Sequence, residues 1–287
     1  MLENILFYFV FLGQILLISY YYPKQILIRI SYVLKTFPPE EYPKLYPKHP
    51  DYYKAGQLIY KIINFIILAI GLIVIVVIGV WDNSSVGKVS EAIPIAYFFL
   101  QMIPLLLMEI SGFAYFKMMR KADMRTTRKA NLQPRNLFDY VSSVAVSFAF
   151  ILIVACIAFF YSLYGFSFDF ENKTFVIVLS LVFSNLIFAG IIFWNLYGKK
   201  LDPHQAVEDR MRQVEVTIKS LVYMSIVASI FLIAIKAIDE FNLDYYEPVL
   251  MSFYLQFIMF IGLGSLLRNQ RLEDMNFDVY KKDVQNN

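Results

Sequence analysis

Seven stretches of this sequence carry no Asp, Glu, Lys or Arg: 4–23, 62–81, 92–108, 140–168, 174–198, 220–235 and 248–267. An α-helix rises 1.5 Å per residue and a bilayer core is about 30 Å thick, so roughly 18–20 apolar residues cross it. Five of the runs are that long. The two shorter ones, 92–108 and 220–235, reach full length if Lys117 and Lys236 snorkel to the rims. Composition agrees, with 59% hydrophobic and 17% charged residues where soluble domains carry about 25% charge. The sequence therefore predicts an all-α fold, a polytopic membrane protein with seven transmembrane helices. The spans fall at about 3–23, 61–81, 92–116, 138–165, 174–197, 218–238 and 247–267, and residues 268–287 form a short polar tail.

The cations orient the bundle. One alternating set of loops holds seven Lys and Arg in 24–61, seven in 117–135, five in 199–219 and four in 268–282; the opposite set holds only Lys88, Lys173 and Lys236. The positive-inside rule puts the basic set in the cytoplasm, the N-terminus outside and the C-terminus inside. The first apolar run has no basic residue before it and ends in "SYYYPK" with no small-residue cleavage site, so it reads as a retained helix. Absence of targeting signals favours a plasma membrane, that of a bacterial inner membrane above all. Two N-x-[ST] sequons, at Asn83 and Asn172, fall in outer loops, in keeping with this topology.

Residues 24–37, "KQILIRISYVLKTF", place Ile26, Leu27, Ile30, Val33, Leu34 and Phe37 on one helical face and Lys24, Ser31 and Lys35 opposite. This reads as an interfacial helix on the inner leaflet. Straight continuation of the first span is the second reading. "FPPEEYPKLYPKHPDYY" follows, a proline-stiffened loop with tyrosines among headgroups. "LDPHQAVEDRMRQ" reads as a helix start capped by Asp202, with Pro203 at the first helical position and Glu208 and Asp209 early. The basic segment 117–135 lacks interleaved aromatics and lies between two spans, so it reads as an orienting loop on anionic lipid rather than a nucleic-acid arm.

No HExxH, GxSxG, P-loop or paired Asp-rich motif occurs, and His49 and His204 lie far apart. The single cysteine, Cys156, falls inside a span, so no disulfide or Cys/His metal site is expected. No enzyme activity, cofactor or metal is expected either. Seven spans with the N-terminus outside match the topology of receptor and rhodopsin proteins. However, the last span, 248–267, has no lysine to attach retinal.

The remaining oddity is Glu109, within "QMIPLLLMEISG". Counting from Lys117, the nearest inner cation, it lies about 12 Å above the inner rim. The same count places Gln14 and Ser229 at about 15 Å, Gln256 at about 18 Å, and Ser143 and Ser147 at about 12 and 18 Å. These six residues are the candidate intramembrane polar cluster, with Pro94 and Pro104 as candidate kinks. A carboxylate at that depth is expected to be protonated, with a raised pKa, or to sit beside water or a cation.

Two functions follow as expectations. The first is a small-solute or ion carrier, or channel-like protein, using Glu109. The second is a non-transporting subunit or scaffold acting through its basic cytoplasmic loops. There Arg125, Arg128, Lys129 and Arg135 would touch a protein partner or anionic lipid. Expected partners are the lipid bilayer, anionic lipid at the cytoplasmic face, and a protein partner or a homo-oligomer, with no nucleic acid.

Overall fold

The computed structural model describes residues 4–84, 89–123, 136–165 and 173–282. Within these it contains seven long helices: α1 (Ile5–Thr36), α2 (Pro50–Ser84), α3 (Ala92–Ala122), α4 (Ser143–Tyr164), α5 (Lys173–Tyr197), α6 (Val207–Glu240) and α7 (Asp244–Asn269). No strand occurs among the described residues. All seven helices are long and apolar enough to cross a membrane. Their outward faces are greasy: Phe9, Phe65, Val80, Phe99, Val144 and Phe150 all stand exposed. Surface of this kind is stable only against lipid.

The helices pack as two groups. α1, α2, α3 and α7 form one, α4, α5 and α6 the other, and α6 against α7 joins them. Small residues permit the close approaches. A Cβ on Gly264 would lie 2.6 Å from the Tyr22 hydroxyl, and one on Gly262 would lie 2.5 Å from the end of Met224. The tight turn from α6 to α7 is set by Asn242 at φ 55°, a left-handed position that asparagine tolerates. Asn242 N–H donates to Asp239 O (3.1 Å) and Leu243 N–H to Ile238 O (2.9 Å), closing the end of α6 as a Schellman motif.

α1 does not break at Pro23. It runs 32 residues, about 48 Å, so residues 24–37 continue the first span rather than forming a separate interfacial helix. The reason lies one turn upstream. Pro23 has no N–H for the Ser19 carbonyl, and its ring would crowd that carbonyl. Residues Leu17–Tyr21 form a π turn, closed by Tyr22 N–H to Leu17 O. This wider turn makes room for the ring. It also corrects a phase problem. Phe7, Phe11, Ile15, Ser19 and Pro23 are all buried at four-residue spacing. In a pure α-helix that row would slip about 40° per step.

Helices extend past the expected spans wherever polar residues continue the helical pattern. α2 starts at Pro50, whose fixed φ suits a first helical position. α6 starts at Val207, with Glu208 and Asp209 in its first turn. Asp202 is not its cap. Its carboxylate accepts from the backbone of His204 (2.8 Å) and Gln205 (3.2 Å), a local turn that holds the chain out of helix.

Candidate functional site

The bundle interior is wired by neutral polar groups. Gln14, fully buried on α1, donates from Nε2 to Pro94 O and to Gln101 Oε1, both at 3.1 Å. Its Oε1 accepts from Ser252 of α7 at 2.8 Å. Gln101 donates in turn to Ser19 Oγ at 2.8 Å and Gln14 O at 3.3 Å. Ser19 shares a 3.2 Å bond with the Tyr97 hydroxyl, which donates to Ile67 O of α2 at 2.9 Å. The chain of bonds thus touches all four helices of the larger group. In hydrocarbon an unmet polar group is costly, and here the amides are used on both their nitrogen and oxygen ends. Gln256 belongs to the same region. It donates to Val10 O at 3.0 Å, and its oxygen lies 3.1 Å from where a Cβ on Gly13 would sit.

Of the six expected cluster residues, only Gln14 and Gln256 come together. Ser229 is buried in α6 but bonds back to Ser225 O at 3.1 Å. Ser225 joins α6 to α5 through Asn185 Oδ1 at 2.5 Å, in the smaller helix group. Ser143 is the first residue of α4 and exposed, and Ser147 is exposed one turn on. Pro94 lies in the first turn of α3, where its missing N–H removes no helical bond. Pro104 is buried inside an unbroken α3.

Glu109 is exposed on α3. Its depth also differs from the count along the chain. The Gln14–Gln101 bond sets the register of two helices that both run toward the basic end. Glu109 lies eight residues, about 12 Å, beyond Gln101, and Lys24 lies ten residues, about 15 Å, beyond Gln14. Counted from Pro94 O, which Gln14 also meets, Glu109 lies further still, so it sits at or beyond the level of Lys24 and well below that of Gln14. Lys117 misleads as a depth marker because α3 projects past the rim.

The projecting ends build a cap. Met119, at the end of α3, is buried with Tyr42 and Tyr280, and Phe37, Leu45, Tyr115 and Phe277 pack around them. Phe37 stacks on Phe277 with ring centres 3.9 Å apart. The Tyr280 hydroxyl donates to Asp202 Oδ2 at 2.5 Å, Asn276 N–H to Asp209 Oδ2 at 3.0 Å, and Lys282 N–H to Glu41 O at 3.2 Å. Burial, and then the Asp202 charge, push the Tyr280 phenol well above its ordinary range. Arg29 of α1 reaches across to the end of α7, donating to Leu267 O (3.1 Å) and to Gln270 O, carbonyls the helix itself leaves unpaired. The tail is thus folded against the bundle as far as Lys282. Arg125, Arg128, Lys129 and Arg135 lie outside the described residues, as do the middles of both sequon loops.

Among the described residues no three His, Cys, Asp or Glu side chains converge as a metal site. Fold and site together define a multi-pass, all-α membrane protein with an internally bonded core and an ordered cap at its basic end. No family model, curated protein or solved structure matches the chain.

Proposed function

We propose that this protein is a non-enzymatic membrane subunit or scaffold that works through its basic end, facing the cytoplasm across a bacterial inner membrane. The cap supports this reading. Segments 37–49 and 270–282 are bonded into one face with α3, α6 and the turn at Asp202. The sequence from Lys117 to Arg135, which begins in the part of α3 that joins the cap, carries seven cations, a charge density suited to an acidic protein partner and to anionic headgroups of the same leaflet. The competing reading is a carrier or channel using Glu109. Against it weigh the rim position of Glu109 and a deep polar network whose groups are occupied by one another.

Reconstitution into liposomes tests the two together. The expected result is a proton and cation leak no faster than that of empty liposomes, unchanged by Glu109→Gln. Charge reversal at Arg125, Arg128 and Lys129 should abolish chemical cross-links to a neighbouring protein in native membranes while expression is kept. A pH-dependent flux that Glu109→Gln removes would overturn the proposal in favour of the carrier.

A further inference from the structure

We propose that the groove between α1 and α2 at the basic rim binds one anionic phospholipid of the surrounding bilayer. Its phosphate would be held between Lys35 and Lys61, with Lys24 adding its charge about 16 Å further up α1, and an acyl chain would lie along the apolar floor. The groove measures about 960 Å³, the upper end of the range for small-molecule sites. Its floor is Leu27, Leu58, Ile62 and Phe65, its polar groups include Ser31 and Tyr32, and no carboxylate lines it.

Depth and direction fit an amphiphile. Ile15 and Gly71 face each other across the α1–α2 contact. Nine residues further along α1 and nine back along α2 bring Lys24 opposite position 62, so Lys24 and Lys61 share the rim. Helical side chains lean toward their own N-terminus. Because α1 and α2 run in opposite directions, Lys35 and Lys61 lean toward one another, with Ser31 and Tyr32 between them. Among the described residues none of the three lysines has an ion-pair partner; Lys24 rests only on the Tyr20 ring, 5.6 Å from its centre. Three unpaired cations around bare Leu58, Ile62 and Phe65 at headgroup depth call for a ligand that is anionic at one end and hydrocarbon at the other. A second copy of this chain is a poor fit. A two-fold contact through the groove would bring the lysines of both copies together.

Native mass spectrometry of the detergent-purified full chain tests this. The probes are a phosphatidylglycerol and a phosphatidylcholine with the same acyl chains. Phosphatidylglycerol is expected to bind one per chain and the choline lipid far more weakly. Lys24→Gln/Lys35→Gln/Lys61→Gln should weaken phosphatidylglycerol binding about a hundredfold, the loss expected for three lysines near a lipid surface. Lys121→Gln/Lys199→Gln/Lys281→Gln, cations away from the groove, should change it less than about threefold. Ile28→Trp fills the groove without touching a charge, so it keeps the test open if the triple variant fails to fold; it should also lose the lipid. Equal binding of the two lipids, equal loss in both triple variants, or displacement of the lipid by equimolar inorganic phosphate would each overturn the proposal. So would a wild-type dimer that Ile28→Trp dissociates, which would give the groove to a second copy.

Discussion

Replacing Gln14 with leucine keeps the side-chain size and removes three hydrogen bonds, to Pro94 O, Gln101 Oε1 and the Ser252 hydroxyl. Side-chain bonds between membrane helices average about 0.6 kcal/mol, so the three together give roughly 2 kcal/mol. The Gln101 oxygen is then left buried without a donor, which costs about another 1–3 kcal/mol. Gln14→Leu should therefore destabilise the bundle by about 3–5 kcal/mol. Gln101→Leu should behave similarly. The double variant should cost less than the two losses added, because each leucine then faces a leucine and the freed serines can turn to their own helix carbonyls. The assay is reversible unfolding in mixed micelles by added SDS, followed by circular dichroism. Glu109→Leu, at the exposed rim, should stay within about 0.5 kcal/mol of the parent. A Gln14→Leu variant equally close to the parent would refute the view that these amides tie the four helices.

Two further outcomes rest on particular contacts. A Cβ on Gly71 would overlap the Tyr97 hydroxyl and lie 3.0 Å from Ile15, so Gly71→Ala should cost about 1–3 kcal/mol. Gly56→Ala, with nothing within 4 Å, should gain about 0.5–1 kcal/mol in the same titration. The cap should loosen in alkali. The buried Tyr280 phenol stays protonated above 10.0, its ordinary value, where the unfolded phenol ionises. The unfolded state then binds fewer protons, so cap stability is whole below pH 10 and falls as pH rises further. Proteinase K should cut the tail faster at about pH 10.5 than at pH 7, and Tyr280→Phe should reduce that ratio while raising the rate at pH 7.

The seven spans were legible because a run without charge is a statement about solvent, and hydropathy reads solvent directly. Helix ends were not. The 50–61 and 207–217 segments are polar and stay helical outside the lipid, where hydropathy carries no signal. Gln14 and Gln256 were found as polar residues deep in apolar runs. Gln101, Tyr97 and Ser252 carry the same signal but were missed. Counted from Lys117, Gln101 comes out at about 24 Å, above the depths of the six candidates, since the first cation on a helix marks the rim only where that helix ends there. The same count sets Glu109 nearly level with Gln14, where the Gln14–Gln101 bond separates them. The cap could not be foreseen from the tail, because its order comes from Tyr42, Met119, Asp202 and Tyr280, brought together from four distant parts of the chain.

The π turn at Leu17–Tyr21 has a consequence for how α1 tolerates change in chain length. Upstream of it the helix aims Gln14 at α3 and α7; downstream it aims Tyr22 and Arg29 at the foot of α7. The π turn takes up one residue more than an ordinary turn and leaves the two halves in phase. Winding the same residues as plain α-helix would swing one half by about 100° relative to the other, so α1 would keep its upper grip or its lower one, but not both, whereas deleting Ile18 removes the surplus residue and lets both aims survive.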